Sequence, residues 1–242
     1  MFLPAPRGFA PTAQRLYPAR MTQTASPPRI ALIHALTHSM GPINEAFERL
    51  WPQARRMHVL DDSLSGDLAL RAGGLDEAMH RRFAMLGNYA VDCGADGILF
   101  TCSAFGPCIE AVAAQHSSMP VLKPNEAMID EAAQSGRRIG LLASFAPTLA
   151  SMPAEFPAGC TLDLQLAGDA MTALNAGDAE AHDAAALAGA RQLLARGAEV
   201  IALAQFSLAR AAPLLRDTLG VPVLTTVDSA VLRLRKRLDP EA

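Results

Sequence analysis

A cysteine at the end of a buried apolar run is the residue of this chain best placed to do chemistry. Cys102 stands in the stretch from Gly94 to Pro107, G-A-D-G-I-L-F-T-C-S-A-F-G-P. Ile98, Leu99 and Phe100 read as a short buried strand that runs into Thr101-Cys102-Ser103, and small residues then lead into a helix. Open α/β sheets place their chemistry at the carboxyl ends of their strands. The amides and dipole of the following helix start would favour a thiolate there. His34 and His38 follow the first strand, and an imidazole titrates near pH 7, so they are the candidates for a partner base. Cys93, Cys108 and Cys160 have no comparable position and read as small packing residues.

Elements that could position Cys102 follow from the apolar pattern. Residues 29–33 form a first strand, and a helix from Pro42 to Leu50 carries Ile43, Ala46, Phe47 and Leu50 on one face. Residues 57–60 form a second strand, ending in a loop at Asp61-Asp62-Ser63-Leu64-Ser65 whose acids read as loop or cap residues. A helix from Leu75 to Cys93 leads to the central strand. Residues 119–122 start a fourth strand that ends at Lys123-Pro124-Asn125-Glu126, and a helix over 127–134 closes the first half of the sequence.

The pattern then repeats. Arg138–Leu142 matches Arg29–Ile33 at an offset of 109, Gly197–Ile201 matches Gly94–Ile98 at 103, and Val221–Leu224 matches Met119–Leu122 at 102. Residues 161–166 stand for the second strand, and a long Ala-rich helix spans His182 to Arg196. Landmarks repeated in one order predict a duplication. The expected fold is α/β, with two pseudo-symmetric doubly wound lobes of about four parallel strands each and the active-site cleft between them. The expected boundaries are 29–125 with 225–242 for the first lobe and 126–224 for the second, after a disordered N-terminal extension over 1–28. That extension carries six prolines and no periodic apolar pattern, and it reads as an upstream addition to a start at Met21.

These features resemble the aspartate/glutamate racemase superfamily, which also includes hydantoin racemases, maleate isomerases and arylmalonate decarboxylases. The resemblance runs from about Arg29 to Leu238 and rests on the duplicated lobes, the T-C-S segment, the following P-V-L strand and the pair Glu126-Ala127. It implies a cofactor-independent isomerase or racemase acting on a small carboxylate, with Cys102 as nucleophile or proton carrier. It also allows a homodimer. Racemases of that superfamily carry a second cysteine at the matching place in the other lobe, and the matching residue here is Gln205. An amide neither gives nor takes a proton near neutrality. A decarboxylase using one thiol, and a carboxylate-binding protein without catalysis, are the alternatives. Candidate substrate-binding residues at the strand ends are Ser39, Ser103, Asn125 and Glu126 in the first half and Ser144, Thr148, Ser207 and Thr226 in the second, with Gln205 beside them. The Ser63 loop is a further candidate. Ser144 and Thr148 stand where the resemblance places substrate-carboxylate binders. Glu126 reads equally as a first-turn carboxylate stabilised by its helix dipole.

Composition narrows the rest. At 242 residues, half hydrophobic but only 5% aromatic, the chain suits parallel strands covered by Ala-rich helices. A net charge of -3 gives no footprint for nucleic acid; the basic cluster at Arg233, Arg235, Lys236 and Arg237 reads as the cationic last turn of a helix. No apolar run approaches a membrane span. The cysteines form no Cys-x-x-Cys pair and the six histidines show no zinc-ligand spacing, so no metal is expected. No Gly-x-Ser-x-Gly elbow points to a hydrolase. Free thiols without a signal-peptide pattern suit a reducing cytoplasm.

Overall fold

The computed structural model describes residues 26–71 and 74–239, so residues 1–25 of the expected N-terminal extension lie outside the described residues. The chain runs β1 (Arg29–His34), a helical turn at Thr37–Ser39, α1 (Met40–Leu50), β2 (Arg55–Leu60), α2 (Ser63–Ala69), α3 (Glu77–Asp92) and β3 (Gly97–Phe100). A turn at Ser103–Phe105, α4 (Gly106–Gln115), β4 (Val121–Leu122) and α5 (Glu126–Gln134) follow. The order then recurs: β5 (Ile139–Ala143), α6 (Ala146–Ser151), a turn at Met152–Glu155, β6 (Leu162–Leu166), α7 (Gly168–Asn175), α8 (Ala179–Ala195) and β7 (Val200–Leu203). A turn at Phe206–Ala211, α9 (Ala212–Leu219), β8 (Val223–Thr225) and α10 (Thr226–Leu238) complete it.

Two parallel four-stranded sheets result, ordered β2-β1-β3-β4 and β6-β5-β7-β8. Their registers reproduce the offsets of the sequence repeat. Ile30 pairs with Gly97 where Ile139 pairs with Val200, and Ile98 pairs with Val121 where Ile201 pairs with Val223. The central strands β3, β5 and β7 are buried at every residue, and β1 at all but Arg29, because helices cover both faces. Gly94 and Gly197, at φ 74° and 94°, take the left-handed turns that stop α3 and α8 ahead of β3 and β7.

Several elements depart from the sequence pattern. The fourth strands begin only after Pro120 and Pro222, which have no N–H to pair. Their carbonyls still accept from Ile98 N (2.8 Å) and Ile201 N (2.9 Å). The Asp61–Ser65 segment turns helical from Ser63 because Leu64 buries itself as the anchor of α2. Helix α8 starts at Ala179, earlier than His182, because Asp178 caps it by accepting from Ala181 N at 2.9 Å. Helices α6, α7 and α9, of six, eight and eight residues, are too short to read from sequence.

The two halves exchange their last helices. Met128, Ile129 and Ala132 of α5, which ends the first half of the sequence, pack with Ile139, Leu141, Val200 and Ala202 of the second sheet. Val227, Ala230, Val231 and Leu234 of α10 pack with Ile30, Leu32 and Leu99 of the first. The exchanged helices meet, with Ser229 Oγ donating to Glu131 (2.6 Å) and Arg233 to Asp130 (2.6 Å). Phe206, from the turn after β7, is buried in the core under α1 and α10. With Ala209 of the same turn, it carries the second lobe into the core of the first. Phe206→Ala should therefore cost about 3–5 kcal/mol of unfolding free energy, read as a lowered urea midpoint.

Candidate active site

In both sheets the crossover from the first strand leaves toward one edge, β1 to β2 and β5 to β6, whereas that from the third leaves toward the other, β3 to β4 and β7 to β8. That reversal opens a crevice outside the carboxyl ends of β1 and β3, and of β5 and β7, where ligands bind in open α/β sheets. The crevices meet. The Thr37–Ser39 turn lies against the Phe206–Ala211 turn, and the Ser103–Phe105 turn lies against α6.

Cys102 and Gln205 hold matching places in this arrangement. Thr101 N donates to Ile33 O (3.0 Å), and its counterpart Ala204 N donates to Leu142 O (2.9 Å). The next residues are Cys102 and Gln205, each half-buried. Cys102 lines a narrow, mainly apolar crevice with His34, Leu64, Phe83, Phe100 and Phe105, with no room for a water molecule. Phe83 stacks on Phe100 at 5.3 Å and lies 4.9 Å from Phe105. Burial in this apolar setting pushes the thiol above its usual range, against the Ala104 amide and Ser65 hydroxyl, which favour the thiolate. The expected thiolate is thus corrected: a thiol here keeps its proton at neutral pH. Ser65 was not legible beforehand because nothing in the sequence showed that α2 would fold over Cys102.

Gln205 is held by its oxygen. Oε1 accepts from Ser144 N at 2.6 Å and from Ser144 Oγ at 3.1 Å, which fixes the amide plane. No partner is recorded for its Nε2 among the described residues, so both of those N–H groups remain to donate. Ser144 is thereby engaged with Gln205, and Thr148 is buried one turn on, in α6.

His34 does not stand free at the cleft surface. It is fully buried, with Nδ1 2.9 Å from both Ser39 Oγ and Thr101 Oγ1 and Nε2 2.9 Å from His58 Nδ1. His58 Nε2 lies 3.1 Å from Asn44 Oδ1, an acceptor, which orients the whole chain. His58 donates to Asn44, His34 donates to His58, and His34 Nδ1 accepts from Thr101, since Ser39 donates to Leu36 O (2.8 Å) while the other acceptor of the Thr101 hydroxyl, Ile33 O, lies farther off at 3.3 Å. Burial, and then His58, hold His34 down to about 4, so it is neutral at pH 7 with both nitrogens engaged. Its place is a buried brace between β1, β2 and β3. Only the strand pairing, which sets His58 beside Leu32, brings the second histidine in.

The remaining candidates are dispersed. Ser103 and Ser207 are half-buried on the turns after β3 and β7. Asn125 is buried and donates to Glu155 (2.8 Å). Glu126 lies 3.9 Å from Arg233 at the start of α5; burial raises it, opposed by Arg233, Arg237 and Lys123. Thr226 is buried with no partner for its hydroxyl among the described residues. Ser63 donates to Asp61 (2.8 Å) and is held by Arg82, away from any ligand role. Among the described residues no group of three or more His, Cys, Asp or Glu could hold a metal, and no helix is long and apolar enough to cross a membrane.

Duplicated parallel lobes with a thiol at one strand end and an amide at the other define a two-lobed α/β protein. A family model described as Asp/Glu/Hydantoin racemase matches residues 40–234, and the chain belongs to that family. No curated protein matches it by sequence. Glutamate racemase from Thermus thermophilus, in complex with β-chloro-D-alanine, superposes with a TM-score of 0.64 at 20% identity, over 89% of this chain and 82% of that one. Allantoin racemase from Klebsiella pneumoniae gives 0.63 at 21%, over 86% of each chain. A glycine-to-cysteine mutant of arylmalonate decarboxylase, in its sulfate-associated form, gives 0.57 at 18%, over 86% of this chain and 93% of that one. At these identities the likeness is one of fold.

The buried His34 makes stability depend on pH. Its folded value of about 4 lies below the ordinary 6.5 of an imidazole, so the unfolded chain binds the proton more tightly. The stability that this neutral imidazole confers is complete above about pH 6.5 and is lost as pH falls toward 4. Between pH 7 and pH 5 the loss is about 2 kcal/mol. Urea midpoints at the two pH values should show it, and His34→Gln should flatten that acid limb.

Proposed function

We propose that this chain is a cofactor-independent enzyme of the racemase and isomerase type, acting on a small carboxylate through the single thiol of Cys102. The supporting observation is the pairing of Cys102 with Gln205 at matched strand ends, with the amide oxygen of Gln205 already taken by Ser144. For proton exchange, the thiolate of Cys102, formed by loss of its proton to solvent, takes the α-proton to leave a carbanion beside the carboxylate, and that carbanion is reprotonated by the resulting S–H or, from the other face, by water. The two free N–H groups of Gln205 are suited to hold the carboxylate, or the negative charge that develops on it. Hydroxyls and turn amides around the cleft supply further donors. Deprotonated, the same sulfur could instead add to the substrate as a nucleophile.

The amide at 205 favours a second reading, a decarboxylase. As carbon dioxide leaves, the electron pair of the broken C–C bond passes to the α-carbon, and the Cys102 S–H proton goes to that carbon from one face. Solvent then reprotonates the thiolate. A single thiol needs no partner acid on the opposite face for this cycle. Four unpaired cysteines suit a reducing compartment.

Proton NMR in deuterated buffer separates these readings. The panel comprises chiral amino and hydroxy acids, arylmalonic acids, maleate and hydantoins. α-Deuteration, isomerisation or loss of a carboxyl group is expected for at least one class, falling about 10²–10⁴-fold in Cys102→Ala. Undiminished turnover in that variant would sink the assignment. Product of one configuration supports the decarboxylase and racemic product the racemase. Gln205→Cys places a thiol on the second face and should raise α-deuterium exchange of both enantiomers. Silence across the panel, with a ligand-induced rise in Tm, would instead identify a binding protein.

A further inference from the structure

Among the turns that follow β1, β3, β5 and β7, residues 34–42, 101–107 and 144–151 contain no Lys, Arg, Asp or Glu, and Arg210 is the one charged residue of the Phe206–Ala211 turn. It and the cations on the neighbouring elements are already paired. Lys123 lies 2.7 Å from Glu110 and 3.9 Å from Glu155, Arg210 lies 2.9 Å from Asp183, and Arg82 is held by Asp61 and Asp67. His34 is neutral and engaged at both nitrogens. Hydroxyls, turn amides, the Gln205 amide and His38 remain, which is a donor set for one carboxylate. A second carboxylate drawn out of water would meet no countercharge.

The same loops carry unused apolar surface at matched points. Leu36 and Phe145 are related by the 109-residue offset of the repeat, and each is the last residue before the helical turn of its loop. They are 41% and 47% exposed, although the residues just before them, Ala35 and Ser144, are buried. We infer that the cleft takes a carboxylate whose other substituent is uncharged and apolar, aryl or branched alkyl, in preference to a dicarboxylic amino acid. This rests on reading the cleft as a carboxylate site. An arm of that kind would cover Leu36 and Phe145, whereas an acidic arm would leave them wet and itself unpaired.

The test compares phenylglycine, leucine and mandelate with aspartate and glutamate on the full chain. It follows turnover by proton NMR and binding by ligand-induced change in Tm. The apolar acids should be favoured at least tenfold. In Phe145→Arg and Leu36→Arg, at exposed positions and with unchanged far-UV circular dichroism, that ratio should fall at least tenfold as the new cation accepts an acidic arm. Preference for aspartate or glutamate, or a ratio that neither substitution moves, overturns the inference and leaves the Cys102 assignment standing. If no acid is turned over but the apolar ones still raise Tm preferentially, the inference holds and the catalytic assignment falls. No response to any acid sinks both.

Discussion

Each half of this protein lacks a helix that the other half supplies, and the cleft depends on that exchange. Without α10, the apolar face of β1 and β3 that carries Ile30, Leu32 and Leu99 would be open to water; without α5 the same is true of Ile139, Leu141 and Val200. Burial of these faces is non-directional, but the crossing points after β4 and β8 are short, so the helices can reach only one place. The two sheets are thereby held with their carboxyl ends opposed. Phe206 adds a direct peg from the second lobe into the first. Cys102 and Gln205 owe their shared cleft to packing well away from either of them.

Within this near-symmetric frame, matched positions solve the same problem with different chemistry. Arg29 N donates to Asp96 (2.7 Å) and Arg138 N to Glu199 (2.9 Å), so the starts of β1 and β5 are tied alike. At the other end of the strands the lobes diverge. The first joins β1 to β3 through His34, Ser39 and Thr101, a neutral buried cluster braced by His58. The second joins β5 to β7 through Ser144 and Gln205. Neither brace carries a charge. A buried ion there would need a partner that these loops do not provide, and neutral donors and acceptors avoid that desolvation cost.

Much of the scaffold could be read from the sequence because parallel strands covered on both faces are continuous apolar runs. Residues such as Ile-Leu-Phe before Cys102 and Val-Ile-Ala-Leu before Gln205 have no other reading in a chain of this composition. The repeat offsets carried into the register because insertions fell in loops and left each strand intact. Short helices were illegible: one buried side chain, such as Leu64 in α2 or Ala170 in α7, anchors a turn without making a period. At the site, the strand-end positions of Cys102, His34, Ser144 and Gln205 were legible and their environments were not. The aromatic packing that pushes the Cys102 thiol up joins residues from α3, β3 and the following turn. The partner that occupies His34 comes from β2. Tertiary neighbours decide protonation, and local sequence does not contain them.

Replacing a thiol by an amide at one of two matched positions changes what a symmetric cleft can do. Two thiols on opposite faces of a carbon can each take or give a proton, and the cycle then runs in either direction. An amide holds its hydrogens at every accessible pH, so Gln205 can form hydrogen bonds but cannot transfer a proton. Its oxygen is spent on Ser144, which leaves the donor side with a fixed orientation and no rotational freedom to lose when an anion arrives. The opposite position holds a sulfur whose surroundings favour S–H over S⁻. Under the proposed reading one wall steadies negative charge while the other supplies the proton that quenches it. The direction of proton delivery then follows from which lobe kept its cysteine.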